Sequence, residues 1–434
     1  MVVDRLKRLL RLQPMRNIMA LYGVRAIEQL LPLIVLPYLA RTLGTSGWGL
    51  FAMAQALAMY GIVTVEFGFA FSGTRAVAQA RNQTGRLAEL LTGICMAQLL
   101  LAAVVALAAV LVRLLVPAFQ DQPLLLWAGL AFAILQGFQP LWYFTGRERI
   151  PLIASIAVAA KVLATVAIFV VVRGPDDGWQ VLACYAGGAL LASGAGYALL
   201  LRELRPGRPR LALIADALRL GAGMFVMRVT VLMHTAGNTF LLGLLVAPQQ
   251  VAFFAAGEKL CRPIAWLLQP INTALLPRLS RLVERSPDRA QQVAALTVLL
   301  QGAAGVVLGA TIALIAPWLV DLLFGPEYHP AVAVLRVMAA IIPLVVLNGA
   351  LVSQWLIPHG LDRALNQVLI ASAVLNLILA LSIAPRFGAL GMAWVTAIAE
   401  GCIMIGLVWA LRRRGLRPLT SDLLRRGLSA LPRR

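Results

Sequence analysis

Eleven side chains able to carry charge fall well inside apolar stretches of this chain, away from their ends: Arg25, Glu28, Glu66, Lys161, Arg228, His234, Glu258, Lys259, Arg262, Arg336 and Glu400. At the centre of a bilayer such a group costs about 2.5 to 3.5 kcal/mol on insertion scales, so each is a candidate for function. Two chemistries suit them. The six basic groups attract anions, and the planar fork of arginine matches phosphate oxygens better than a point charge does. The four glutamates and the imidazole, kept out of water, are candidates for carrying a proton or a coupling cation. No catalytic, metal or cofactor constellation is visible. Cys95, Cys184, Cys261 and Cys402 are far apart, form no CxxC pair and read as small buried apolar side chains. No P-loop is present, so no nucleotide drive is expected.

Spacing suggests how these charges are arranged. Arg25 and Glu28 are three residues apart, on one face of a helix and within pairing reach. Arg228 shares a stripe with Thr235 and Asn238 at spacings of seven and three. Glu258 and Arg262, four apart, can form an internal pair; if Arg262 instead faces open space, Glu258 orients it and can exchange a proton or sodium. Lys161 and Arg336 have no obvious local partner, Glu66 stands just before Gly68, and Glu400 stands alone in its segment. Each has a structural alternative: an ion pair that only fixes helix packing, a neutral hydrogen-bonded glutamate, or a histidine satisfied by one polar contact. Arg75 and Arg278 lie at segment ends, where snorkelling explains them.

The elements that carry these residues are transmembrane helices. With 61% hydrophobic and 13% charged residues over 434 positions, the chain has more apolar side chain than a water-facing surface could hide. Apolar blocks near 18–40, 48–71, 89–112, 124–144, 151–172, 180–201, 218–246, 251–276, 292–323, 331–357, 365–384 and 389–411 are each long enough to cross a hydrocarbon core of about 30 Å. The first is too long for the apolar core of a signal peptide and is followed at once by a second, so it is expected to be retained. With the N-terminus inside, the inward segments hold 28 Lys and Arg and the outward loops 4, which predicts both termini to be cytoplasmic. The net charge of +20 therefore reflects topology rather than a nucleic-acid surface, because the basic residues fall between apolar blocks. The tail 412–434 is expected to lie along the anionic inner leaflet.

The halves resemble each other when the second is slid back by about 203 residues early and 214 later. Arg25 then falls on Arg228, Phe51 on Phe253 and Arg75 on Arg278; further on, Gly146 falls on Gly360, Arg149 on Arg363 and Gly174 on Gly388. Six spans per half give both copies the same orientation, as in parallel repeats about an axis normal to the membrane. The expected fold class is an all-α membrane protein of twelve transmembrane helices. They form two six-helix lobes, 1–210 and 211–411, related by a pseudo-twofold axis, with the substrate between them. Pro32, Gly137, Pro140, Pro263 and Pro270 are hinge candidates within spans.

Residues 32–81 carry a more specific signal. The stretches Pro37 to Gly44 (PYLARTLG) and Gly68 to Ala78 (GFAFSGTRAVA) resemble the N-terminal signature of the Wzx-type polysaccharide flippases, in the multidrug/oligosaccharidyl-lipid/polysaccharide exporter superfamily. The resemblance implies an inner-membrane flippase that moves undecaprenyl-diphosphate-linked oligosaccharide repeat units from the cytoplasmic to the periplasmic leaflet. It does so for O-antigen or exopolysaccharide assembly, by alternating access of a V-shaped central cavity, without a catalytic centre. Polysaccharide polymerase and chain-length proteins are the partners it implies, besides the lipid-linked substrate and membrane lipids. Arg25, Arg228, Arg262, Lys161, Arg336 and Lys259 are then candidates for a cationic substrate site. Glu28, Glu66, Glu258, Glu400 and His234 are candidates for coupling.

Three alternatives stand beside it. A cation-coupled drug exporter of the same superfamily would have an acidic interior, whereas six basic groups face four glutamates here. The lipid II flippase has fourteen spans rather than twelve. A membrane-embedded glycosyltransferase or polymerase needs a large outward loop, and the outward loops here are short.

Overall fold

A computed structural model describes residues 13–416, with side chains from Leu31 onward except that of Ile150. The described residues pack as two units, one ending at Leu232 and one beginning at Met233. The basic N-terminal stretch, the tail from Arg417, and the side chains of Arg25 and Glu28 lie outside the described residues.

In the first unit the helices are α1 (Gln13–Glu66), α2 (Phe69–Gln79), α3 (Thr84–Leu115), the short α4 (Pro117–Asp121), α5 (Pro123–Gly137), α6 (Leu141–Gly146), α7 (Ile150–Val171), α8 (Gly178–Glu203) and α9 (Leu211–Met233). The second unit contains α10 (Ala236–Leu245), α11 (Pro248–Trp266), α12 (Gln269–Arg285), α13 (Pro287–Leu323), α14 (Ala331–Leu351) and α15 (Asp362–Arg413). Between α14 and α15 lie a π-turn, Val352–Leu356, and a 3-10 turn, Ile357–His359.

Eight stretches among the described residues are long and apolar enough to cross a membrane by length and composition. Two of them contain a change of direction: Gly44 (φ 64°) breaks α1 and Gly388 (φ 56°) breaks α15, so each is a pair of helices. The α9/α10 and α11/α12 pairs are interrupted at 234–235 and 267–268, which leaves α10 with 10 residues and α12 with 17. Joined across these breaks they complete a layout consistent with twelve spans. Of the hinge candidates, Pro32 and Pro263 lie inside α1 and α11; Gly137 and Pro140 flank the α5/α6 break, and Pro270 opens α12.

The packing is that of a protein dissolved in lipid. Leu107, Leu115, Val307, Leu314 and Ile405 stand exposed on helix faces, a pattern that lipid satisfies and water does not. Small residues set the closest helix contacts. On α13, Gly305 and Gly309 meet α14 so tightly that a Cβ would lie 2.9 Å from Pro343 Cα and 2.6 Å from the Ala339 carbonyl oxygen. In the first unit, Trp142, Tyr143 and Phe144 of α6 join Phe69, Val77, Leu91 and Ile94 in one buried cluster, which also takes in Ala217 of α9. The helix that opens the expected second lobe at 211 thus packs within the first unit.

Candidate functional site

The second span breaks just after Glu66. Phe67 (φ 47°) and Gly68 (φ 75°) both adopt left-handed backbone, and α2 restarts at Phe69. Such a break frees backbone groups that lipid cannot satisfy. Glu66 Oε1 accepts the Ala70 N–H at 3.1 Å, capping the new helix. Its other oxygen pairs with the guanidinium of Arg228 on α9. The two segments meet closely here: Phe67 stacks on Phe225 at 4.4 Å between ring centroids, and a Cβ on Gly221 would strike the Phe67 carbonyl oxygen.

This geometry corrects two sequence expectations. Glu66 is not a lone carboxylate; it is the counter-charge of Arg228 and a helix cap. Nor does Arg228 share a continuous stripe with Thr235 and Asn238, because the helix ends at Met233 and Thr235 leaves helical backbone (φ −112°, ψ −106°) before α10 begins. The signature motif likewise has a packing basis. Thr74 Oγ1 donates to Ala70 or Trp142 carbonyl oxygen, and a Cβ on Gly146 would lie 2.7 Å from the Thr74 carbonyl oxygen, so the motif is the seam between α2 and α6.

In the second unit the expected Glu258–Arg262 pair forms, with Nε donating to Oε1 at 2.8 Å. Both are mostly shielded, at 11% and 16% side-chain exposure. Thr239 Oγ1 donates to the other oxygen of Glu258 at 2.7 Å, and Arg262 also donates to the carbonyl oxygen of His234. At the α9/α10 break a guanidinium thus satisfies a freed carbonyl, as a carboxylate caps the first break. The His234 ring lies 3.3 Å from the Leu369 carbonyl oxygen. Beside Arg262 and Thr396 is a cleft of about 10 Å³, room for no more than one water.

Further in, Asn376 Nδ2 donates to Asn238 Oδ1 (2.6 Å), and Asn238 Nδ2 donates to Thr396 Oγ1 (3.0 Å). Asn348 donates to Glu400 Oε2 at 2.9 Å and to its backbone carbonyl at 3.1 Å, so Glu400 does not stand alone. A second amide group joins Gln301 and Gln354 to Asn272 Oδ1 at 3.1 and 3.0 Å. Asn272, Gln301, Asn348, Gln354 and Asn376 are not among the ionisable candidates. Their signal was present, since a buried amide in an apolar segment also needs partners.

The remaining candidates are dispersed. Arg336 is exposed on α14 and donates to the Ala313 carbonyl oxygen at 3.4 Å, a contact its neighbours in sequence did not suggest. Lys161 on α7 and Lys259 on α11 are half-buried. The first unit holds an apolar cavity of about 130 Å³ lined by residues such as Ala58, Gly61, Ala109 and Ala133. None of the candidate charges lines it.

Residues 15–283, well over half of the chain, match the model of the family described as polysaccharide biosynthesis protein. The chain belongs to that family. Two relatives align with it almost end to end. A protein of Escherichia coli (strain K12) named "Putative O-antigen transporter" is 24% identical over 91% of this chain and 95% of its own length. A protein of Shigella dysenteriae bearing the same name is 27% identical over 92% of this chain and all of its own. Among solved structures, a lipid II flippase MurJ in an inward closed conformation superposes with a TM-score of 0.70 at 13% identity, covering 95% of this chain and 90% of that one. That likeness shows the fold. The family member described here thus has an all-α, multi-span membrane fold.

Proposed function

We propose that this protein translocates undecaprenyl-diphosphate-linked oligosaccharide repeat units from the cytoplasmic to the periplasmic leaflet of a bacterial inner membrane by alternating access, with both termini in the cytoplasm. The observation that carries the proposal is the near-complete alignment with two proteins named for O-antigen transport. The side chains support the same cargo. Arg228 and Arg262 are charged donors suited to a diphosphate, and each sits at a helix break.

Both arginines are already neutralised, by Glu66 and Glu258. An incoming diphosphate would compete with these carboxylates for the guanidinium groups, and protonation of a displaced glutamate would remove the competitor. Arg25, Lys161, Lys259 and Arg336 are proposed as further cationic contacts, and Glu28, Glu400 and His234 as further coupling groups.

Deletion of the gene, with complementation, tests this reading. Cells lacking the protein should lose surface polysaccharide and accumulate lipid-linked repeat units in the cytoplasmic leaflet. Wild type should restore export, whereas Arg228→Ala and Arg262→Ala should not. Intact polysaccharide with altered drug sensitivity would favour the cation-coupled exporter instead.

A further inference from the structure

The segment joining the sixth and seventh spans, 204–210, reads Leu-Arg-Pro-Gly-Arg-Pro-Arg, and its backbone is fixed at three places. Leu204 is buried in the first unit's core cluster. The Gly207 N–H donates to Thr92 Oγ1 at 2.8 Å, and the Thr92 hydroxyl donates on to the Ala88 carbonyl oxygen at 2.8 Å. At the far end, α3 comes so close that a Cβ on Gly93 would lie 2.7 Å from the Leu213 carbonyl oxygen. Pro206 and Pro209 restrict the backbone further.

We propose that this strap is a docking surface for anionic phospholipid headgroups, with Arg205, Arg208 and Arg210 as its contacts. All three are exposed, and none is in an ion pair among the described residues. The nearest acid in sequence, Glu203, is taken by Arg149 and Tyr143. Glu89, beside Gly207 on α3, pairs with none of them. Leu201 and Leu211, exposed on either side, give the strap apolar flanks that fit a bilayer interface rather than a soluble polyanion. Loose polybasic chain binds anionic lipid by charge alone. Here the backbone that carries the arginines is held in place, so less chain ordering is needed when phosphates bind.

The test is binding of short-chain phosphatidylglycerol, against phosphatidylcholine, to the purified full chain in detergent. Each arginine near an anionic surface is worth roughly fivefold in binding, so Arg205→Gln/Arg208→Gln/Arg210→Gln should lower the phosphatidylglycerol preference on the order of a hundredfold. Thr92→Val keeps every charge but leaves the Gly207 N–H only its 3.3 Å bond to the Ala88 carbonyl oxygen, and should weaken the preference several-fold; Thr92→Ser should bind as wild type. Unchanged melting in phosphatidylcholine checks that the variants are folded. A triple variant that keeps the wild-type preference overturns the proposal, as does a preference lost on removing residues 417–434. Loss in the triple variant with none in Thr92→Val overturns the fixed geometry. The assay involves no oligosaccharide, so its failure is separate from failure of the flippase reading.

Discussion

At the scale of single residues, two arginines in the membrane, Arg228 and Arg262, are paired with glutamates, and the pairs set the cost of removing one partner. Glu66 and Arg228 have side-chain exposures of 14% and 30%, so a lone survivor would face a largely dry setting. Arg228→Gln is expected to lower stability by about 1–3 kcal/mol, and Glu66→Gln/Arg228→Gln to recover most of it. Melting of the two single variants and the double variant in detergent checks this; additive losses would show that the pair is not coupled. Glu400 depends in the same way on Asn348, so Asn348→Leu should destabilise by about 1–3 kcal/mol despite adding apolar surface. Sequence spacing exposed Glu258–Arg262 because a helix fixes its own i, i+4 neighbours. It could not expose Glu66–Arg228, whose partners are 162 residues apart.

At the scale of elements, two helix breaks carry the paired charges. The break at Phe67–Gly68 is held against α9 by Gly221, where any Cβ strikes a backbone oxygen. Gly221→Ala is expected to cost about 1–3 kcal/mol and to impair transport. Gly223→Ala, two residues on with open space around it, should be neutral or slightly stabilising. Equal melting temperatures for the two would contradict this packing. The turns at Gly44 and Gly388 were legible because glycine and polar residues punctuate apolar runs there. The break after Met233 was not, because His234 and Thr235 are not strong helix breakers and tertiary contacts decide it. The Arg228 stripe failed for that reason.

At the scale of the whole molecule, composition alone announces a lipid-dissolved bundle, and the distribution of basic residues predicts its direction. Reporter fusions after residue 416 and in the 204–210 segment are expected to report cytoplasm, and a fusion near Arg173 periplasm. The reverse pattern would invert the proposed direction of transport. The central claim is movement of a diphosphate-linked glycolipid between leaflets. Its most direct test is reconstitution of the purified chain in liposomes bearing undecaprenyl-diphosphate oligosaccharide, with exposure of the sugar to an external enzyme followed over time. Protein-dependent exchange between leaflets, lost in Arg228→Ala, is the predicted result; a rate no greater than in protein-free liposomes, with folded protein and a coupling ion gradient present, would contradict the account.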